Sequence, residues 1–131
     1  MTIHAQEGLR IQTIFEQYGK QKGATMVVLS GETLNNYRLN SYRSITLKYD
    51  KTMLDEIQQS LEADKQQARL IKEVINDGIV TSGYYQLLGE KNRINRYILF
   101  KIGNEGTLTL IYMEGGADSE ALINKMFIQR K

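Results

Sequence analysis

The stretch TMLDEIQQSLEADKQQARLIKEVIN, Thr52 to Asn76, decides how the chain divides between helix and sheet. Leu54, Ile57 and Leu61 recur at intervals of three and four, the spacing of one helix face. Thr52 followed by Asp55 supplies an N-cap and an acidic first turn. The same stripe runs on through position 64 to Ala68, Ile71 and Ile75, but position 64 is Asp, and a carboxylate on a buried stripe is costly unless it is partnered. Asp64 with Gln67 also fits a capping box. The stretch therefore reads as two helices, 53–62 and 65–76, with Asp64 capping the second. In that register Lys72 and Glu73 find helical neighbours in Asn76 and Asp77.

Beyond Gly78 the pattern changes to strand and turn. Val80–Leu88, Arg93–Ile102 and Thr107–Met113 are joined by Gly89-Glu90-Lys91-Asn92 and Gly103-Asn104-Glu105-Gly106, connections of hairpin length, so an antiparallel meander is predicted. Ile94, Ile98, Phe100 and Ile102 share one face of the middle strand, and Leu108, Leu110 and Tyr112 one face of the last; these faces should meet the helices. Gly115-Gly116 then leads to Asp118 or Ser119 as cap of a closing helix with Leu122, Ile123, Met126 and Phe127 apolar.

Toward the N-terminus, Leu9, Ile11, Ile14, Phe15 and Tyr18 predict an amphipathic helix stopped by Gly19 or Gly23. Residues 24–30, Ala-Thr-Met-Val-Val-Leu-Ser, form a short apolar run that reads as a buried central strand. Ser41–Tyr49 alternates, with Arg43, Ile45, Leu47 and Tyr49 on one face and Tyr42, Ser44, Thr46 and Lys48 on the other. It reads as a half-wet strand whose edge is open to pairing with a second copy, although the sequence leaves the oligomeric state unread. The predicted order is α-β-β-α-α-β-β-β-α: one α+β domain over residues 8–131, a largely antiparallel sheet of about five strands with helices mainly on one face.

Composition narrows the chemistry. The 131 residues hold 17 Lys plus Arg against 15 Asp plus Glu, and neither half of the chain is a basic or acidic tail. Bulk charge thus gives no argument for nucleic acid or an acidic partner. The chain has no Cys and one histidine, His4, at the extreme N-terminus, which removes thiol chemistry and leaves no placed imidazole for a triad or a His-rich metal site. No cofactor or metal fingerprint is present, no apolar run is long enough to span a bilayer, and no enzyme activity is expected.

Ile3 and Ala5 occupy the minus-three and minus-one places of a signal-peptidase site, so residues 1–7 read as the remnant of a signal peptide or a frayed terminus. Phe15-Glu16-Gln17-Tyr18 leading to Val27-Val28-Leu29-Ser30, the strand Tyr84-Tyr85-Gln86-Leu87-Leu88, and Thr109-Leu110-Ile111-Tyr112 before a polar turn give a pattern extending over 8–126. In these features the chain resembles small exported domains of unknown function from Bacteroidetes. That resemblance implies an extracytoplasmic (periplasmic or secreted) α+β protein and supplies no activity. The Tyr- and Arg-rich strand within 34–49 departs from it.

Tyr42, Arg43, Tyr84, Tyr85, Arg96 and Tyr97 interleave aromatics with cations on predicted strands. Tyr and Arg are enriched at interaction hot spots, so the expected function is binding, of a protein or envelope component, through the exposed face of the sheet. Two other readings stay open: a carrier with an apolar cavity between sheet and helices, and, in a cytosolic setting, stacking of single-stranded nucleic acid on the same face.

Overall fold

Ile11, Ile14, Phe15 and Tyr18 recur at helical spacing, and the helix they specify, α1 (Ile11–Tyr18), buries all four. The computed structural model describes residues 9–29, 32, 39–87 and 95–115. After α1 come β1 (Thr25–Leu29) and β2 (Leu39–Lys48), then helix α2 (Lys51–Lys65). Four strands follow: β3 (Ala68–Asn76), β4 (Ile79–Leu87), β5 (Asn95–Ile102) and, after a short 3-10 turn at Asn104–Gly106, β6 (Thr107–Gly115). They form one sheet in the order β1-β2-β6-β5-β4-β3, with every neighbouring pair antiparallel.

The α+β class and the antiparallel meander are as expected, but the segment that decides the fold is split differently. Residues 65–76 are not a second helix. Asp77 and Gly78 carry φ of 52° and 79°, the two positive values of a type I′ hairpin turn, and they fold β3 back onto β4. The stripe Ala68, Ile71 and Ile75 fits a helix by spacing, yet the β-branched Ile71, Val74 and Ile75 suit a strand equally, and the Asp-Gly turn decides between them. A bulge between Val74 and Ile75 shifts the register, and the Thr81 hydroxyl occupies it, donating to the Val74 carbonyl at 3.3 Å and accepting from Asn76 Nδ2 at 3.1 Å. The sheet therefore has six strands rather than about five.

Three smaller expectations also change. The cap of α2 is Asp50, whose Oδ1 accepts from the Met53 N–H at 2.8 Å, rather than Thr52. The run expected as a central strand is β1, at one edge of the sheet, with Val27 and Val28 40% and 60% exposed. The strand expected to be the edge is β2, paired on both sides. A short apolar run does not say how many neighbours a strand has. The expected closing helix, the turn at 89–92 and residues 1–7 lie outside the described residues.

Alternation divides the sheet as the sequence implied. Ile45, Leu47, Leu87, Ile98, Phe100, Leu108, Leu110 and Tyr112 face the helices and pack with Ile11, Ile14, Phe15, Ile57 and Leu61. On the opposite face Tyr84, Tyr97, Leu99 and Met113 are buried, with Leu29, Tyr42 and Ile111 packed against them. Among the described residues no helix is long and apolar enough to cross a membrane.

The helix layer is joined by one carboxylate. Arg10, the N-cap of α1, makes no side-chain capping bond. Asp64, in the last turn of α2, accepts the Arg10 N–H at 2.6 Å and the Ile11 N–H at 2.9 Å while only 1% exposed. It lies on the buried stripe of α2, where the sequence argument held it too costly, and the α1 N-terminus is the partner that permits it. Burial still dominates its titration and raises its pKa, with the two N–H groups, Arg10 and Arg96 pulling the other way.

Asp64→Ala leaves two buried N–H groups without an acceptor and should cost about 2–4 kcal/mol in urea denaturation, with amide exchange accelerated first in α1. Because the folded pKa lies above the unfolded one, the stability that Asp64 contributes is full at low pH and declines as pH rises through the shifted value. The stability of the wild type relative to Asp64→Asn should therefore fall as pH rises above the ordinary aspartate value of 3.8.

Candidate functional site

The six residues singled out by type do not form one surface. Successive residues of a strand point to opposite faces, so Tyr42, Tyr84 and Tyr97 belong to the face away from the helices, while Arg43, Tyr85 and Arg96 lie on the helix side. Tyr84 and Tyr97 are stacked, centroids 6.2 Å apart and planes inclined by 10°, and both are buried. Arg43 is half-buried, its guanidinium 5.7 Å from the centroid of Phe15. Tyr85 and Arg96 are buried, with Arg96 Nη2 3.5 Å from Gln67 Oε1. Of the six, only Tyr42 and Arg43 keep partial access to solvent.

The helix side instead gathers a polar network that residue types alone did not reveal. Glu73 of β3 accepts from Tyr85 at 2.8 Å and from Lys65 Nζ at 3.0 Å, and Lys65 pairs with Glu62 at 2.7 Å. Its origin is the strand assignment, since only on β3 does Glu73 share a face with Tyr85 of β4. Gly83 is part of the same arrangement. A Cβ there would lie 2.7 Å from Tyr85 Cζ and 2.8 Å from Cε2, so the bare backbone lets the ring lie along its own strand.

Two further tyrosines repeat the pairing: Tyr18 donates to Glu56, and Tyr112 donates to Glu114 at 2.6 Å. The hydrogen bond to Glu56, then burial, pushes the Tyr18 phenol from 10.0 up to about 12. For Tyr85 and Tyr112 burial comes first and the partner carboxylate second, and both are raised further. A phenol used as base or nucleophile needs its pKa lowered toward the working pH. These three are shifted the opposite way and act as donors that anchor carboxylates.

The feature that does face solvent is the hairpin of β3 and β4. Ile71, Val74, Ile75 and Ile79 are 43%, 51%, 57% and 45% exposed, four large apolar side chains on one supersecondary element, Ile71 and Ile75 on the helix side of the sheet and Val74 and Ile79 on the other. Single exposed apolar residues are ordinary, whereas several together mark a contact surface. Sequence reasoning missed it because the segment was read as helix.

Two measurements check this account. Each raised phenol keeps its proton in the folded state beyond the pH at which the unfolded chain loses it, so stability should fall steeply as pH rises from about 10 to about 12, and tyrosinate absorbance should appear together with unfolding. Gly83→Ala should cost about 1–3 kcal/mol by forcing the Tyr85 ring off Glu73, read as a lower urea midpoint.

No curated protein matches the chain. The solved structure of a protein of unknown function, PA94, from Pseudomonas aeruginosa superposes with a TM-score of 0.41 at 12% identity, over 84% of this chain and 80% of that one. A likeness that loose carries no argument. Sequence comparison is more direct: the model of a family of unknown function, DUF6108, matches residues 1–127, and the chain belongs to that family.

Proposed function

We propose that this protein is an exported, non-enzymatic binding domain that docks a protein or an envelope component on the apolar hairpin of β3 and β4. The observation that carries this reading is the joint exposure of Ile71, Val74, Ile75 and Ile79. Water-exposed apolar area of this kind is removed at a gain of roughly 25 cal/mol per Å² when a partner covers it. The contact surface thereby moves from the sheet face, where Tyr84, Tyr85, Arg96 and Tyr97 are buried, to the end of the sheet. Lys72 borders the hairpin, its ammonium 5.8 Å from the Tyr84 ring centroid, and gives the surface a polar rim. Support for export is the spacing of Ile3 and Ala5 together with the resemblance to exported domains.

The other two readings find less support. Among the described residues, the crevice lined by Leu9, Ile11, Gln12, Phe15 and Tyr112 has no room for a water-sized sphere, so that crevice offers a carrier no ligand space. Tyr84 and Tyr97 already stack within the protein and present no open ring to a base.

Immobilised wild-type protein should retain a discrete component of an envelope extract that Ile75→Lys releases, with the thermal midpoint of the variant unchanged because Ile75 is exposed. Retention equal in both would remove the hairpin as the binding surface. Cell fractionation with intact-mass analysis should place the mature chain in the envelope, beginning near Gln6; a cytosolic chain would overturn export.

A further inference from the structure

The two edges of the sheet differ in chemistry. β3 carries Lys72 and Glu73 at its middle and register shifts near both ends, the charges and bulges that discourage strand addition. Two copies of β3 paired antiparallel about a two-fold axis normal to the sheet at its middle, on Lys72 or Glu73, would set like charges together. β1 has none of these guards. Its five residues, Thr-Met-Val-Val-Leu, are uncharged, its pairing with β2 has no register shift, and among the described strands its other side has no neighbour.

We propose that β1 is a self-association edge, across which a second copy of the chain pairs antiparallel about a two-fold axis at Val27. A two-fold axis normal to a sheet keeps each face on its own side, so an axis on one residue matches positions two apart face to face. With Val27 on the axis, all five residues are paired. Met26 meets Val28 of the partner subunit on the helix side, and Thr25 meets Leu29 of the partner subunit on the opposite side. Both exposed valines are then covered, Val27 by its symmetry mate and Val28 by Met26 of the partner subunit.

An interface built on five residues lies below the area of a standard complex, so the dimer should be concentration-dependent rather than permanent. It joins two sheets edge to edge and leaves the β3–β4 hairpins at the far ends. Self-association does not depend on what those hairpins bind.

Sedimentation velocity over a concentration series should show a monomer–dimer equilibrium for the wild type. Val27→Lys, which sets like charges together on the axis, should weaken it at least about tenfold without changing the thermal midpoint. Val74→Lys, on the opposite edge, should leave it intact. Because the chain has no cysteine, Val27→Cys supplies a second readout. Opposed Cα atoms of an antiparallel pair lie about 4.5–5.5 Å apart, within disulfide reach, so mild oxidation should link two copies through position 27 and should not link Val74→Cys. A wild type that stays monomeric throughout the series, a Val27→Lys protein that associates like the wild type, or cross-linking at 74 rather than 27 would overturn the proposal.

Discussion

The layer of helices depends on a carboxylate that reaches between them. α1 begins with N–H groups that no nearby side chain accepts, and Asp64, more than fifty residues further on, supplies both oxygens. Two opposing terms of similar size meet there. Burying a carboxylate costs several kcal/mol, and each charge-assisted hydrogen bond returns about 1.5–3. The raised pKa of Asp64 is the residue of that near-balance. What the contact secures is geometry. With its start fixed to the end of α2, α1 sets Phe15 beneath the Arg43 guanidinium and brings the Tyr18 hydroxyl to Glu56, a second tie between the two helices.

Much of this architecture was legible in the chain. The three C-terminal strands, the alternation of β2 and the faces of β5 and β6 follow from period-two patterning and Gly-containing turns, and α1 and α2 follow from their apolar stripes. The segment after Asp64 was not legible by period, because Ala68, Ile71 and Ile75 satisfy a helix while their neighbours satisfy a strand. The signal that separates the two was local and present: Asp77-Gly78 is the turn dipeptide of a two-residue hairpin, and it requires a strand on each side. Asp64 misled for a related reason. A buried carboxylate is costly in isolation, and the helix terminus that stabilises it is remote in sequence.

The candidate surface was less legible than the fold. Residue type pointed to Tyr84, Tyr85, Arg96 and Tyr97, but type does not say whether a strand lies at the middle of a sheet or at its margin, and all four fall on the central β4 and β5. The side chains left in water belong to the outer strands instead, at Val27 and Val28 on one side and on the β3–β4 hairpin on the other. Strand order, which joins residues distant along the chain, determines which of two similar apolar runs meets solvent.

The strand order also dictates when the protein can become itself. β3, β4, β5 and β6 succeed one another along the chain and pair with sequence neighbours, and β1 and β2 form a unit of their own. Among the described strands the two blocks pair where β2 lies against β6, in pairs such as Leu47 with Leu108 that are roughly sixty residues apart. Among the described strand pairings, closing that distance carries the largest loop-closure cost. On the ribosome, β2 can pair at once with β1, but its other neighbour, β6, emerges only roughly sixty residues later, and until then Ile45 and Leu47 lack the second strand that covers them.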